Sequence, residues 1–209
     1  MSIADDVLKT LKPESLEAIA PRIQDGDLLL CAGHDPFSRL IGWSTKSPWT
    51  HVALAYRWDS LGRIMVFESV QQIGVRTVGL EKFISQSSTG KKPYPGQIIL
   101  ARHADYADKG GDHAEVAMKK LGDFAVDRFG DPFSGREILK IAARICFGAA
   151  NVKMPESLGA NDEFICSEYA AGCFEAVGIK IQWDARGFIA PADFAQDPNV
   201  RAVAQIQTR

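Results

Sequence analysis

A cysteine at the start of a predicted helix is the residue most suited to chemistry in this 209-residue chain. In the stretch 164–174, Cys166 occupies the first helical turn, where unpaired backbone N–H groups and the positive end of the helix dipole favour a thiolate. Far upstream, His51 opens a predicted strand and Glu68 lies in the next one. A thiol, an imidazole and an orienting carboxylate are the components of a thiol hydrolase.

The spacing of the two strands decides whether the histidine and the carboxylate share a face. Residues 51–57 and 63–70 are apolar runs on either side of a polar turn around 59–62, which predicts a hairpin. With a four-residue turn, His51 and Glu68 become diagonal neighbours on one face, with Cβ atoms about 7 Å apart. A turn of odd length would place them on opposite faces.

The same strand predicts where a helix packs. Ala53 and Ala55 lie on the face of His51, and their small side chains leave room for a close approach. Val52 and Leu54 point to the other face. We therefore expect the cysteine-bearing helix to pack on the alanine face.

Each residue of the candidate site also has a purely structural interpretation. Cys166 and Cys173 share one helix face, so both thiols fit a buried apolar stripe. His51 alone fits a structural or surface histidine, and Glu68 fits an edge strand with a solvated carboxylate. Only Cys166 lies in a first helical turn, and an imidazole beside a carboxylate can hold a thiolate–imidazolium pair ready to attack a carbonyl.

Two further residues are predicted to line a substrate cleft. Trp49 precedes the histidine strand, with plain packing as the alternative, and Ser167 follows the cysteine, where a polar residue is ordinary in a first helical turn. The other histidines lie in polar surroundings that indicate loops, solvent or a helix start: His34, His103 and His113.

The hydrophobic pattern predicts the elements that position these residues. Predicted helices cover 4–24 with a break at Pro13, 36–43, 80–86, 112–129, 138–147 and 165–177, and predicted strands cover 28–31, 51–57, 63–70, 97–102 and 179–181. Gly178 is expected to end the last helix.

Composition limits the class of protein. A hydrophobic share of 46% over 209 residues suits one globular domain, and a net charge of −2 with scattered basic residues disfavours nucleic-acid partners. Four cysteines without a C-x-x-C pair indicate free thiols, so we expect no metal and no cofactor. The acidic opening and the lack of a long apolar run predict a cytoplasmic or phage-associated protein without a signal peptide or membrane-spanning segment.

In its motifs the chain resembles the circularly permuted NlpC-type, papain-like hydrolases, in particular the bacterial and phage YiiX/YebB-like group. The matching motifs are 26–30 (GDLLL), 47–54 (SPWTHVAL), 67–69 (FES) followed by Gly74 and Val75, 164–169 (FICSEY) and 191–193 (PAD). The resemblance covers most of residues 26–195. Its specificity comes from the order and spacing of the motifs together.

This resemblance implies an α+β, permuted papain-like fold in which a small antiparallel sheet packs against a helix carrying the cysteine at its N-terminus. The permutation explains why the histidine strand precedes the cysteine helix. Carried over by position, Cys166 would be the nucleophile, His51 the general base and acid, and Glu68 the residue that orients His51. The single domain 1–209 would comprise an N-terminal helical extension (1–24) and a permuted core (26–195).

The resulting hypothesis is a cysteine peptidase or amidase that attacks an amide carbonyl, for example in a cell-wall peptide, through an acyl-enzyme. Two alternatives stay open. One is a lipid acyltransferase or thioesterase of the same fold, and the other is a binding module that lacks catalysis. The expected partner is a small peptide, an amide or an acyl lipid, and the oligomeric state is not predicted.

Overall fold

A seven-stranded sheet organises the computed structural model, which describes residues 3, 10–34, 36–71, 73–86, 93–107, 114–133, 165–183 and 189–208. The strands are β1 (Pro13–Glu14), β2 (Leu28–Gly33), β3 (His51–Trp58), β4 (Arg63–Val70), β5 (Gly74–Gly79), β6 (Gly96–His103) and β7 (Val200–Ile206). Their order across the sheet is β1-β7-β6-β2-β3-β4-β5. All neighbours are antiparallel except the short β1–β7 pair, which is parallel.

Helices flank this sheet and make the fold α+β, as predicted. They are α1 (Leu16–Ile19), α2 (Pro36–Thr45), α3 (Leu80–Ser85), α4 (Ala104–Ala107), α5 (Ala114–Val126), α6 (Cys166–Glu175) and α7 (Pro191–Gln196). The predictions for α2, α3, α5 and α6 are thereby confirmed within a few residues. The predicted helix 138–147, Cys146 and His113 lie outside the described residues. Within the described ranges, no helix has the length and apolar character needed to cross a membrane.

The β3–β4 hairpin has the predicted register. Trp58 pairs with Arg63 and Leu54 with Phe67, so the two strands are joined by the predicted turn at residues 59–62. The turn is a short 3₁₀ segment that ends at Gly62, whose φ of 61° lies in the left-handed region that favours glycine. This even-length turn keeps alternate residues of both strands on a common face.

The two faces of the sheet carry different helices. The core on one face combines side chains of β3, β4 and α6: Val52, Leu54, Phe67, Ala170, Cys173 and Phe174. The core on the other face combines side chains of β3 and α3: Ala53, Ala55, Leu80, Phe83 and Ile84. The prediction that the cysteine helix packs on the alanine face is therefore wrong.

Close packing explains this exchange of faces. A dense interior requires large side chains to meet small ones. Phe83 of α3 belongs to the core above Ala53 and Ala55. On the other face, α6 packs both small and large side chains, Ala170 and Phe174 among them, against Leu54.

Both ends of the chain contribute to the sheet beyond the predicted core boundaries. Residues 200–206 form β7, whose alternate residues Val200, Ala204 and Ile206 are buried, whereas the predicted core ended at 195. Pro13, which was predicted to break a helix, lies in β1. Conversely, the predicted strand 179–181 does not form, because the chain turns at Gly178 and continues without regular structure.

Candidate active site

His51 and Glu68 meet as the hairpin register predicted. The Nε2 atom of His51 lies 3.0 Å from Oε2 of Glu68. Glu68 is buried, whereas His51 keeps a partly exposed side chain. Because the carboxylate occupies Nε2, the Nδ1 atom is the ring nitrogen left for a third group.

Cys166 is that third group. It is the first residue of α6, and Ile165 before it is extended, with φ −80° and ψ 160°. The Ile165 N–H donates to Oε2 of Glu168 at 3.3 Å, which caps the helix at this point. Helix α6 packs against β3 and β4, and the side chain of Cys166 forms a hydrogen bond with that of His51. The structure thus brings the three predicted catalytic residues together.

The electrostatics of His51 favour an imidazolium. Burial lowers the pKa of His51, but the charge and hydrogen bond of Cys166, together with those of Glu68, outweigh burial and raise it to about 10. At neutral pH the ring is therefore protonated, between Cys166 and the carboxylate of Glu68.

Glu68 has a second cationic partner that the sequence analysis missed. Arg76 lies opposite Glu68 on β5, and its Nε and Nη2 atoms donate to Oε1 of Glu68 at 2.9 and 2.6 Å. Burial raises the pKa of Glu68, yet its interactions with His51 and Arg76 lower the pKa below the ordinary value overall. The sequence does contain a signal for Arg76. A buried carboxylate requires a cation, and the short turn after Val70 pairs the next strand, which carries Arg76, with β4.

Aromatic side chains pack against the imidazole of His51. The ring of Phe83 stacks on His51 with centroids 6.3 Å apart and an interplanar angle of 30°. Tyr94 stacks on the far side of Phe83 at 6.0 Å. Beside His51, Cys31 is its partner on β2. These contacts restrict the ring to the orientation in which Nε2 faces the carboxylate.

The two predicted cleft residues are not placed as expected. Trp49 is fully buried in the core cluster that contains α6. Ser167 is also fully buried, and its hydroxyl donates to the carbonyl oxygen of Ile189 at 2.8 Å. Neither side chain is accessible to a ligand, so the prediction of a cleft position is corrected for both residues. Trp49 fills core volume, and Ser167 ties α6 to the segment before α7.

Cys166 is buried like the other described thiols, with 6% of its surface exposed, but it differs from them in lying at a helix start in contact with His51. Cys31 and Cys173 are free and buried, and burial raises the pKa of each thiol. His103 ends β6 directly before α4, in agreement with the predicted helix start, but its side chain is buried and not solvated, and the ring packs against Phe174 at 5.5 Å. Burial lowers the pKa of His103, although Asp197 lies 3.9 Å away. For His103 burial thus outweighs the nearby carboxylates, whereas for His51 the contacts with Cys166 and Glu68 outweigh burial.

Comparison with known proteins identifies a structural neighbour. No protein-family model matches the chain, and no curated protein matches it. Among solved structures, the fold is similar to that of metalloprotein yiiX from Escherichia coli O157:H7, with a TM-score of 0.58 and 18% identity over 87% of this chain and 96% of that chain. At this identity the likeness concerns the fold alone, and it places the chain with a YiiX-like α+β fold.

The name of that neighbour describes it as a metalloprotein, which makes the donor set of this chain relevant. Within the ranges that the structure describes, no group of three or more His, Cys, Asp or Glu side chains is arranged to hold a metal ion. Instead, Cys166 contacts His51, and His51 contacts Glu68. Arg76 binds the other oxygen of the Glu68 carboxylate.

Proposed function

We propose that the protein is a cysteine hydrolase with a permuted papain-like, NlpC-type arrangement that cleaves an amide bond through an acyl-enzyme. One observation carries this proposal: the contact chain from Cys166 through His51 to Glu68. Each residue suits its role. Cys166 begins a helix, His51 contacts both Cys166 and Glu68, and Glu68 is a buried carboxylate with a lowered pKa.

In the first half-reaction, the Cys166 thiolate attacks the substrate carbonyl carbon. A carbon–sulfur bond forms while the carbonyl π electrons move to oxygen. When the tetrahedral intermediate collapses, the carbon–nitrogen bond breaks and the His51 imidazolium gives its proton to the leaving amine. The products of this step are a thioester on Cys166, a free amine and a neutral His51.

In the second half-reaction, His51 acts as a base. It accepts a proton from water as the water oxygen attacks the thioester carbonyl. Collapse of the second intermediate breaks the carbon–sulfur bond and releases the carboxylic acid. The thiolate of Cys166 and the imidazolium of His51 are then restored.

The helix start supplies a donor for the oxyanion. The N–H of Cys166 is at the first position of α6, where backbone N–H groups have no partner within a helix. Glu168 caps the N–H of Ile165, one residue earlier, and so leaves this position available. A carbonyl oxygen bound there would develop its negative charge at the positive end of the helix dipole.

Matched cysteine substitutions test the proposal. We expect Cys166→Ala to abolish hydrolysis of a panel of peptide, amide and thioester substrates while the fold is retained. Cys173→Ala, in the same core cluster but two turns further along the helix from Cys166, is the control and should keep turnover. Hydrolysis by the Cys166→Ala variant would contradict the proposal, whereas loss of activity only in the Cys173→Ala variant would assign the chemistry to another site.

Acyl-lipid chemistry is the second candidate, and exposed apolar residues favour it. Trp43 on α2, the helix that precedes β3, and Ile73 in the β4–β5 turn are exposed. Large exposed apolar side chains beside a site are suited to an acyl chain. A comparison of kcat/KM for a fatty-acyl thioester and for a short peptide amide separates the two substrates. Preference for the thioester, reduced in Trp43→Ser, would select the lipid.

A further inference from the structure

We infer that Arg76 is a positioning residue for this site: it fixes the orientation of the Glu68 carboxylate toward His51 and keeps that carboxylate ionised throughout turnover. The inference rests on the proposed function and goes beyond the three residues that function requires. Arg76 touches neither the sulfur nor the imidazole among the contacts described above. Its effect on catalysis passes through Glu68.

The two oxygens of the Glu68 carboxylate have different hydrogen-bond partners. Both arginine donors, Nε and Nη2, bind Oε1 of Glu68. The other oxygen, Oε2, is the one that lies 3.0 Å from His51. Since a guanidinium is planar and its donors are rigidly spaced, binding one oxygen from two directions restricts rotation of the carboxylate. The imidazole therefore meets a fixed acceptor.

The charge of Arg76 matters most when His51 is neutral. During the proposed cycle His51 loses its proton to the leaving group, and Glu68 then has no cationic histidine beside it. A buried carboxylate without a cation is costly and tends to take up a proton. Arginine remains charged at every working pH. Arg76 thus keeps Glu68 ionised at the stage when His51 must recover a proton from water.

The backbone holds Arg76 in place from the outer side of the sheet. Gly74 opens β5 with a φ of 87°, and a Cβ atom there would lie 2.1 Å from the carbonyl oxygen of Asp131. Next to it, the N–H of Val75 donates to Asp131 at 2.9 Å and the carbonyl of Val75 accepts from Gly130 at 3.0 Å. The edge strand is therefore paired on both sides just before Arg76.

A second arginine provides a matched control. Arg102 on β6 binds Asp27 through Nε and Nη2, and the exposed fractions are 24% for Arg102 and 1% for Asp27. The corresponding values are 26% for Arg76 and 2% for Glu68. The two pairs are thus alike in residue type and burial, but Asp27 has no histidine among its partners.

The experiment compares Arg76→Met, Arg76→Lys and Arg102→Met. Two quantities are measured: the pH dependence of kcat/KM, and the pKa of His51 from an NMR titration assigned with His51→Gln. We expect Arg76→Met to lower kcat/KM by about ten- to a hundredfold and to move the pKa of His51 up by about one unit, because the Glu68 carboxylate then interacts with the imidazolium alone. Arg76→Lys should recover part of the pKa shift because it restores the charge. Arg102→Met should change neither quantity.

A double-substitution cycle shows whether Arg76 acts through the carboxylate. In the Glu68→Gln background, Arg76→Met should leave the pKa of His51 unchanged. An equal shift with and without Glu68 would overturn the inference, as would a wild-type titration in Arg76→Met. If Arg76→Met does not fold, the same comparison is made with Arg76→Gln, where an unchanged His51 pKa and full kcat/KM would overturn the inference.

The two readouts separate this inference from the proposed function. The NMR titration needs no substrate, so a shifted pKa in a protein that hydrolyses nothing would refute the hydrolase and keep the contact network. Full Cys166-dependent hydrolysis in Arg76→Met would refute the role of Arg76 and keep the hydrolase.

Discussion

The two buried carboxylates Asp27 and Glu68 each bind an arginine, but they differ in the partner of the second carboxylate oxygen. At Asp27, Arg102 binds both oxygens, at 2.7 and 2.8 Å, and the N–H of Gln24 adds a bond of 2.8 Å to one of them. At Glu68, the arginine binds one oxygen and leaves the other to His51. Arg102 thus binds both oxygens of Asp27, whereas one oxygen of Glu68 is bound to His51, a residue that can gain or lose a proton.

The pKa values of the two acids move in opposite directions. Burial raises the pKa of Asp27, and Arg102 does not fully offset the effect. Burial acts on Glu68 in the same sense, but His51 and Arg76 together bring its pKa below the ordinary value. A buried ion pair is therefore not by itself a functional signal. The signal is a buried acid shared between a permanent cation and a histidine that contacts a thiol.

The largest expected difference between the pairs concerns activity. Glu68→Gln should lower kcat/KM by about a thousandfold, because the amide no longer stabilises the imidazolium of His51. Asp27→Asn should leave kcat/KM within about twofold of wild type, since Asp27 contacts only structural partners. Steady-state kinetics on both variants checks this, and an equal loss in the two would remove the distinction between them.

Stability should respond to both arginines at neutral pH. Arg102→Met should lower the free energy of unfolding by about 3 kcal/mol, because it leaves the buried carboxylate of Asp27 without a cation, and Arg76→Met should lower it by less, because Glu68 keeps His51 as a partner. Urea unfolding monitored by circular dichroism measures the loss. Lys119, whose ion pair with Asp123 on α5 is exposed, offers a control substitution with a smaller expected effect.

The loss in Arg102→Met should shrink at acid pH. The folded-state pKa of Asp27 is raised, so its ionisation costs stability as pH rises through that pKa, and protonation at low pH removes the cost. Glu68 behaves oppositely in the wild type: its lowered pKa contributes stability above the unfolded-state value and that contribution is lost as pH falls. Unfolding of Arg102→Met that worsens steadily toward acid pH would contradict this assignment.

A smaller effect is expected from the backbone that supports Arg76. Gly74→Ala forces a Cβ atom toward Asp131 in a left-handed conformation, and should cost about 2 kcal/mol of stability and several-fold in kcat/KM. Gly79, at the other end of the same strand, has open space at the Cβ position and is the matched control. Equal behaviour of the two alanine variants would show that the start of β5 does not position Arg76.

Local pattern was sufficient to predict the hairpin. The even turn after Trp58 set the register, and the register alone brought His51 within reach of Glu68. The start of α6 at Cys166 was equally predictable, because a thiol in a first helical turn follows from a short apolar pattern. These features depend on neighbours that are close along the chain.

The incorrect or missing predictions involve contacts between distant segments. Which face α6 covers depends on how Phe83 of α3 competes for the space above Ala53 and Ala55, and sequence alternation does not contain that information. The role of β7 required recognising the alternation from Val200 to Ile206 beyond the expected core. Arg76 was overlooked because the β4–β5 hairpin, which pairs it with Glu68, was not predicted.

The most direct test of the central claim is the NMR titration of His51 in the wild type and in Cys166→Ala. With the sulfur and Glu68 both in contact, the imidazolium should persist until pH about 10, and removal of the sulfur should bring the transition to markedly lower pH. A transition near the ordinary value of 6.5 in both proteins would show that Cys166 and His51 do not form an ion pair, and the catalytic account would be contradicted.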